Sequence, residues 1–173
     1  MTGVDPIRLA VLTISDGVAA GTREDRSGDA VVAHAAARGW HLSGRAVVAD
    51  EEAAIAAAIA EWADGDVADV VLTTGGTGLA PRDVTPEATG RVLERDAPGI
   101  AEAIRARGAR ATPYTWLSRG RAGVRGRTLV VNLPGSTSGV RDGLDVLDAL
   151  RPHAVQMLRG IDTERHEQPN ANG

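Results

Sequence analysis

The chain has 173 residues, a formal net charge of −4, 43% hydrophobic and 2% aromatic residues, and no cysteine. That length suits one domain burying roughly two-thirds of its unfolded surface, and the acidic, aromatic-poor composition argues against a nucleic-acid or membrane-surface protein. Without cysteine there is no disulfide, thiolate nucleophile or Cys-ligated metal. All 19 basic residues are arginine, so a Walker A loop and Schiff-base chemistry lack their lysine.

Residues 7–14 read as the first strand, apolar enough for the middle of a parallel sheet. It runs into Ser15-Asp16-Gly17 and a polar loop over 18–27, after which Ser27 is placed to cap a helix over 28–38 that Gly39 ends. A second strand covers 42–49. Asp50, Glu51 and Glu52 then open a helix over 53–63, and on physical grounds Asp50 reads as its N-cap.

After a turn at 64–66 comes the stretch that organises the chain. Val70-Val71-Leu72 is a buried strand that breaks into Thr73-Thr74-Gly75-Gly76-Thr77-Gly78, passes Asp83 and enters a helix over 85–95. Thr85 reads as the N-cap, with Pro86 at the first helical position. Strand, glycine loop, helix is the order found where open α/β sheets bind ligands, beyond the carboxyl ends of their strands. The glycines let backbone approach an anion, the threonine hydroxyls add donors and acceptors, and Asp83 suits a metal ion held beside a phosphate.

A break at 96–99 precedes a helix over 100–107. Residues 112–118 read as a short extended segment, placed at an edge by Pro113, and Arg119 behind it reads as a solvated surface charge. Arg125-Gly126-Arg127 forms a hairpin-like turn into the last strong strand, 128–133, which ends in Pro134-Gly135-Ser136-Thr137-Ser138-Gly139. Val140, Leu144, Val146, Leu147 and Leu150 give a helix over 139–150. Pro152 restarts a final helix over 152–159, and 161–173 reads as a flexible tail. His34, His41, His153 and His166 have no metal-ligand spacing and read as structural or surface residues. No apolar run approaches the roughly 20 residues that span a bilayer. Residues 1–6 lack the basic-then-apolar order of a secretory signal, which points to the cytoplasm.

The fold class expected is α/β: a single domain with a mostly parallel central sheet and helices on both faces. Its three small-residue junctions, at 15–16, 73–83 and 134–136, should gather on one rim. Amides, hydroxyls and a carboxylate-held cation there suit phosphoryl or nucleotidyl transfer, which is mostly positioning and charge neutralisation.

Several strings carry a family resemblance: T-T-G-G-T-G…D-V-T-P-E-A, S-D-x4-G-x3-D-x-S-G from Ser15 to Gly28, P-G-I at 98–100, L-S-R-x2-A-G-V at 117–124 and N-x-P-G-S at 132–136. Together, from about Arg8 to about Gly160, they resemble the MogA/MoaB family of molybdenum-cofactor biosynthesis proteins. The resemblance implies a molybdopterin-binding-like three-layer domain over 1–160 that adenylylates molybdopterin with ATP and Mg²⁺. It also implies a homotrimer and possible hand-over of the product to a molybdate-inserting protein. Carried onto this sequence, the first binding loop supplies Ser15, Asp16, Asp25, Ser27 and Gly28. The second supplies Thr73, Thr74, Gly75, Gly76, Thr77 and Gly78, the third Pro134, Gly135 and Ser136, and Ser118 contacts the pterin side. Asp50 takes the place of the family's essential aspartate, converging with Asp83 on one Mg²⁺. R-D-V-T-P resembles the MogA branch and P-G-S-T the MoaB branch. Two other readings stay open: a pterin-binding homologue without turnover, and a metal-assisted nucleotide or sugar-phosphate hydrolase.

Overall fold

The computed structural model describes residues 6–160; the segment expected to be a tail, His166 and residues 1–5 lie outside the described residues. In chain order the elements are β1 (Arg8–Ile14), the one-turn α1 (Asp16–Ala19), α2 (Arg26–Ala37), β2 (His41–Val48), α3 (Glu52–Asp64), β3 (Val70–Thr74) and α4 (Thr85–Val92). There follow β4 (Arg95–Asp96), α5 (Pro98–Gly108), a 3-10 turn (Pro113–Leu117), β5 (Ala122–Arg125), β6 (Thr128–Leu133) and α6 (Thr137–Leu158).

One six-stranded sheet runs in the order β2-β1-β3-β6-β5-β4. The first four strands are parallel, while β5 and β4 are added antiparallel through the hairpin at Gly126. Successive side chains of a strand face opposite sides, so the apolar runs of β1, β3 and β6 furnish two cores. Leu9, Val11, Val70, Leu72, Leu129 and Val131 pack beneath α2, α5 and α6, meeting Val31, Ile104, Leu144 and Leu147. Ala10, Leu12, Val71 and Val130 pack beneath α3 and α4, meeting Ile55, Ile59, Ala88 and Val92. Leu9, Leu12, Leu72, Ile55 and Ile59 are each 0% exposed, and burying one such side chain contributes about 1.5–3 kcal/mol. The expected α/β sheet with helices on both faces is the fold observed.

The chain leaves β1 toward β2 on one side and returns to β3 on the other. The strand order therefore reverses between β1 and β3, the switch point where such sheets open a crevice at their carboxyl ends.

Several local expectations are corrected. Asp25, not Ser27, caps α2, its carboxylate accepting from the Gly28 amide. Asp50 caps nothing: Glu51 holds the N-cap position of α3 and makes no side-chain cap bond. Val84 precedes α4, and Thr85 is its first residue, with its hydroxyl turned back to the Gly75 carbonyl. That helix ends at Val92 because Arg95 and Asp96 pair with β5. Residues 113–117 are 3-10 helical rather than extended. The two helices expected at the end are one, α6, starting behind Ser136 as N-cap and running through Pro152.

Candidate functional site

The carboxyl ends of β1, β2, β3 and β6 all open on the same rim because the strands are parallel. Between them lies a cavity of about 540 Å³, lined by residues that include Ser15, Arg23, Asp50, Gly76, Asp83 and Ser136. Its floor is the glycine loop. Gly75 has φ +101° and Gly76 φ +66°, backbone conformations that side chains with a Cβ resist. A Cβ on Gly75 would collide with the Ile14 carbonyl, and one on Gly76 would collide with the Thr85 hydroxyl while standing 3.2 Å from Asp50 Oδ1. The loop is thus pressed against β1 on one side and held open to the cavity on the other.

Asp50 and Asp83, expected to converge, both line this cavity. Asp50 Oδ2 accepts from the Asp16 amide at 2.8 Å, and Asp83 Oδ2 accepts from the Ala80 amide at 2.9 Å. Among the described residues no hydrogen bond reaches the second oxygen of either carboxylate. Two such oxygens suit a hard cation such as Mg²⁺, which is bound through one or two carboxylates together with water and substrate phosphates. No group of three or more His, Cys, Asp or Glu residues that could hold a metal ion occurs among the described residues.

A second cavity of about 280 Å³ adjoins the first and shares Ser136 with it; its walls include Thr77, Tyr114, Leu117, Ser118 and Asp142. It is the more apolar of the two and carries an aromatic wall. Ser118, placed by sequence on the pterin side, lines it and shares a hydroxyl–hydroxyl bond with Thr77 at 3.4 Å.

Arg119 is not the solvated charge its sequence context suggests. Its backbone amide donates to the Thr77 carbonyl at 2.8 Å. Its guanidinium donates to the Gly78 carbonyl at 2.8 Å and the Asp83 carbonyl at 2.5 Å, and it pairs with Glu87. The arginine therefore straps the 77–83 loop against the segment leading into β5. The Arg119 guanidinium also holds the Glu87 carboxyl below its usual range. Arg82 is a second arginine that sequence reasoning misses; it grips Asp16 with two bonds of 2.6 and 2.8 Å, and that grip holds the Asp16 carboxyl below its usual range. Both arginines are letters of quoted strings, Arg119 of L-S-R-x2-A-G-V and Arg82 of R-D-V-T-P, and that motif membership is the signal that points to them.

Of the residues expected to meet ligand, Ser15, Ser27, Asp50, Gly75, Gly76, Asp83, Gly135 and Ser136 line the larger cavity. Thr77, Gly78, Ser118 and Pro134 line the smaller one. The other five serve the protein's own framework. Asp25 caps Gly28 and accepts from Thr13 and Arg45, each at 2.9 Å. Gly28 is buried where a Cβ would strike Asp25 and Thr13. Thr73 and Thr74 are 0% exposed, the former accepting from Asn132 and the latter donating to the Pro134 carbonyl at 2.7 Å. Asp16 has both oxygens engaged by Arg82 and the Asp50 amide.

A switch-point cavity floored by the Gly75–Gly76 backbone and flanked by Asp50 and Asp83 belongs to a doubly wound α/β domain. The family described as "Probable molybdopterin binding domain" matches residues 10–152, and the chain belongs to this family of molybdenum-cofactor biosynthesis domains. It is similar to the crystal structure of the molybdopterin biosynthesis enzyme MoaB from Thermus thermophilus, with 45% identity, a TM-score of 0.84, and coverage of 89% of this chain and 97% of that one. It is 43% identical over 153 residues to a molybdenum cofactor biosynthesis bifunctional protein of Synechococcus elongatus, covering 88% of this chain and 47% of the relative. It is 35% identical over 159 residues to a molybdopterin adenylyltransferase of Helicobacter pylori, covering 89% of each. The chain spans 26 to 49% of the length of three curated relatives, which are longer proteins.

Proposed function

We propose that the protein is a molybdopterin adenylyltransferase, transferring AMP from ATP to the terminal phosphate of molybdopterin and releasing pyrophosphate. The observation that carries this reading is the convergence of Asp50 and Asp83 on a glycine-floored cavity that adjoins a second, more apolar one. Two substrates need two adjoining compartments, one rich in phosphate-binding groups and one suited to a flat heterocycle. The name of the similar Helicobacter pylori protein supports the same activity.

In this reading the larger cavity takes the phosphates of ATP. The Gly75–Gly76 backbone lets them approach closely, and Ser15 and Ser136 offer hydroxyls. Mg²⁺ held by Asp50 and Asp83 would neutralise phosphate charge and draw electrons from the α-phosphate. The smaller cavity takes the pterin against Tyr114 and Leu117, with Ser118 and Thr77 as polar contacts. The pterin's terminal phosphate is thereby directed through the Ser136 junction toward the α-phosphate. The chain's own groups hold and orient; they form no covalent intermediate.

The test is incubation of the purified protein with molybdopterin, ATP and Mg²⁺. Adenylylated pterin and one pyrophosphate per product are expected. Bound pterin without pyrophosphate would instead establish a binding homologue, and ADP or AMP formed without pterin a hydrolase. The protein is further proposed to work in the cytoplasm as a homotrimer that hands its product to a molybdate-inserting protein. No helix among the described residues is long and apolar enough to cross a membrane. Trp116, 57% exposed beside Tyr114 and Leu117, is a candidate interface anchor. Sedimentation across a dilution series checks this: a chain that stays monomeric at high micromolar concentration would remove both the trimer and that role.

A further inference from the structure

We propose that Asp16 and Arg82 form a positioning pair that fixes the two cavity carboxylates, Asp50 and Asp83, relative to each other, so that Asp16 acts without touching ligand. The proposal rests on the adenylyl-transfer reading of this cavity. The geometry is a closed set of bonds. The Asp16 amide donates to Asp50 Oδ2 at 2.8 Å, and the Asp50 amide donates back to Asp16 Oδ1 at 3.0 Å. The loops leaving β1 and β2 are thus locked side by side, a register already set by the Ile14–Val48 pairing and by the Ser15 amide on the Val48 carbonyl at 3.0 Å. Arg82 closes the set from the third loop: its Nε donates to Asp16 Oδ2 at 2.6 Å and its Nη2 to Asp16 Oδ1 at 2.8 Å.

Arg82 is the residue next to Asp83. A planar guanidinium gripping a carboxylate through two parallel bonds fixes orientation as well as distance. The grip therefore sets where the loop carrying Asp83 stands relative to the loop carrying Asp50. Asp16 receives three bonds on its two oxygens, and it is absent from the cavity wall while its neighbour Ser15 and Arg82's neighbour Asp83 are on it. Both side chains of the pair are well exposed, 61% for Arg82 and 46% for Asp16. A surface ion pair of that kind does little for the fold, so its effect falls on the position of what it connects.

Arg82 also answers a charge problem. Asp16 would otherwise add a third carboxylate beside Asp50 and Asp83; with Arg82 upon it, Asp16 is neutralised and withdrawn from the ligand side. The two cavity carboxylates keep their free oxygens, and the third is committed to holding them.

The test is a double-mutant cycle on the whole chain with D16N, R82Q and the double variant. Thermal midpoints, pyrophosphate release and calorimetric binding of ATP with and without Mg²⁺ are measured for each. A positioning pair predicts that both single variants keep the wild-type midpoint. Each should lose about 10-fold or more in Mg·ATP affinity and in kcat, as is usual for groups that orient metal ligands. ATP binding without metal should be unchanged, and the double variant no worse than the poorer single one. Asp16 as a direct ligand contact predicts otherwise: D16N falls, R82Q behaves as wild type, and the losses add in the double variant. That result overturns the pair. A wild-type protein that binds no Mg·ATP overturns the adenylyl-transfer reading and the pair with it, whereas active wild type with unimpaired R82Q overturns the pair alone.

Discussion

The two ends of the central strands both carry clustered charge, and they use it in opposite ways. At the amino ends, Asp69 is 5% exposed and has every oxygen taken. It accepts from the Arg8 amide at 2.8 Å, the Arg8 guanidinium at 3.1 Å and the Arg159 guanidinium at 2.7 Å. Arg8 also reaches Asp66 at 2.9 Å. This cluster ties the end of α6 to β1 and β3. At the carboxyl ends, Asp50 and Asp83 each spend one oxygen on a backbone amide and keep the other facing a cavity. Charge density alone would not separate the two rims. Saturation does: a carboxylate with all its bonds made is a clamp, and one with bonds left over beside an open cavity is equipped for a ligand.

The largest expected effect tests the open rim. Asp83→Asn keeps the shape but removes the charge, and pyrophosphate release should fall by about 100-fold or more, with the thermal midpoint unchanged. Asp50→Asn should behave alike. Unchanged turnover at saturating ATP and Mg²⁺ in either variant would remove that residue from the chemistry and blur the contrast between the rims.

Gly76→Val attacks the same rim through its backbone. It forces a β-branched residue into a positive φ and against the Thr85 hydroxyl, so ligand binding should vanish and stability should drop by about 1–3 kcal/mol. Titration of ATP into the folded fraction checks the first effect, urea unfolding the second. Normal affinity would show that the loop does not face the phosphates.

The closed rim should respond the other way. Asp69→Asn is expected to cost about 2–3 kcal/mol of stability by leaving two guanidiniums short of their partner, with the KM for ATP unmoved. The same cluster predicts a pH dependence. Burial pushes the Asp69 carboxyl up, but the Arg8 and Arg159 guanidiniums outweigh it and hold the group down to about 2. A carboxyl lowered on folding contributes stability that is full above its unfolded value, about 3.9, and that is lost as pH falls through the folded one. Wild-type melting temperature should therefore drop between about pH 4 and 2 more steeply than that of Asp69→Asn. Parallel curves would show that the clamp does not stabilise the fold.

Much of this contrast is legible in the sequence, and what is not has physical causes. The central strands announce themselves by continuous apolar runs, and placing strand–loop–helix junctions on one rim follows from parallel pairing. Asp83 stands out through its place in the glycine loop, whereas Asp50 reads as a helix cap and gains its place at the site only through the family resemblance. The short β4 escapes notice because a two-residue edge strand has no periodicity to read. The cap of α2 is ambiguous because Asp25 and Ser27 are both good caps, and a tertiary preference decides: Asp25 can reach Thr13 and Arg45 as well. Pro152 reads as a restart, yet α6 continues through it. Leu147 and Val155, buried on either side of it, hold the helix on the sheet, while Pro152 itself is exposed, so tertiary packing overrides a local breaker. Arg82 and Arg119 stand inside quoted motif strings, yet their roles, like that of Asp69, are not legible, because their side-chain partners lie 32 to 90 positions away.

The smallest effect belongs to a charge that sits on the open rim and outside the carboxylate pair. Arg26 lines the larger cavity and is 80% exposed, its ion pair among the described residues being with Glu24, itself 78% exposed, at 3.1 Å. A pair so solvated contributes little to the fold, so Arg26→Gln should leave the melting temperature where it is. If the cavity takes the phosphates of ATP, as proposed, the same guanidinium at its mouth attracts a polyanion equally in the ground and transition states. The KM for ATP should therefore rise a few-fold with kcat unchanged, the pattern of lost uniform binding. The difference from wild type should shrink as salt is raised, because the exposed charge is screened within about 8–10 Å. A lowered melting temperature would make Arg26 part of the framework, like Arg8 at the other rim. A KM indifferent to both substitution and salt would leave the cavity mouth without any electrostatic part in binding.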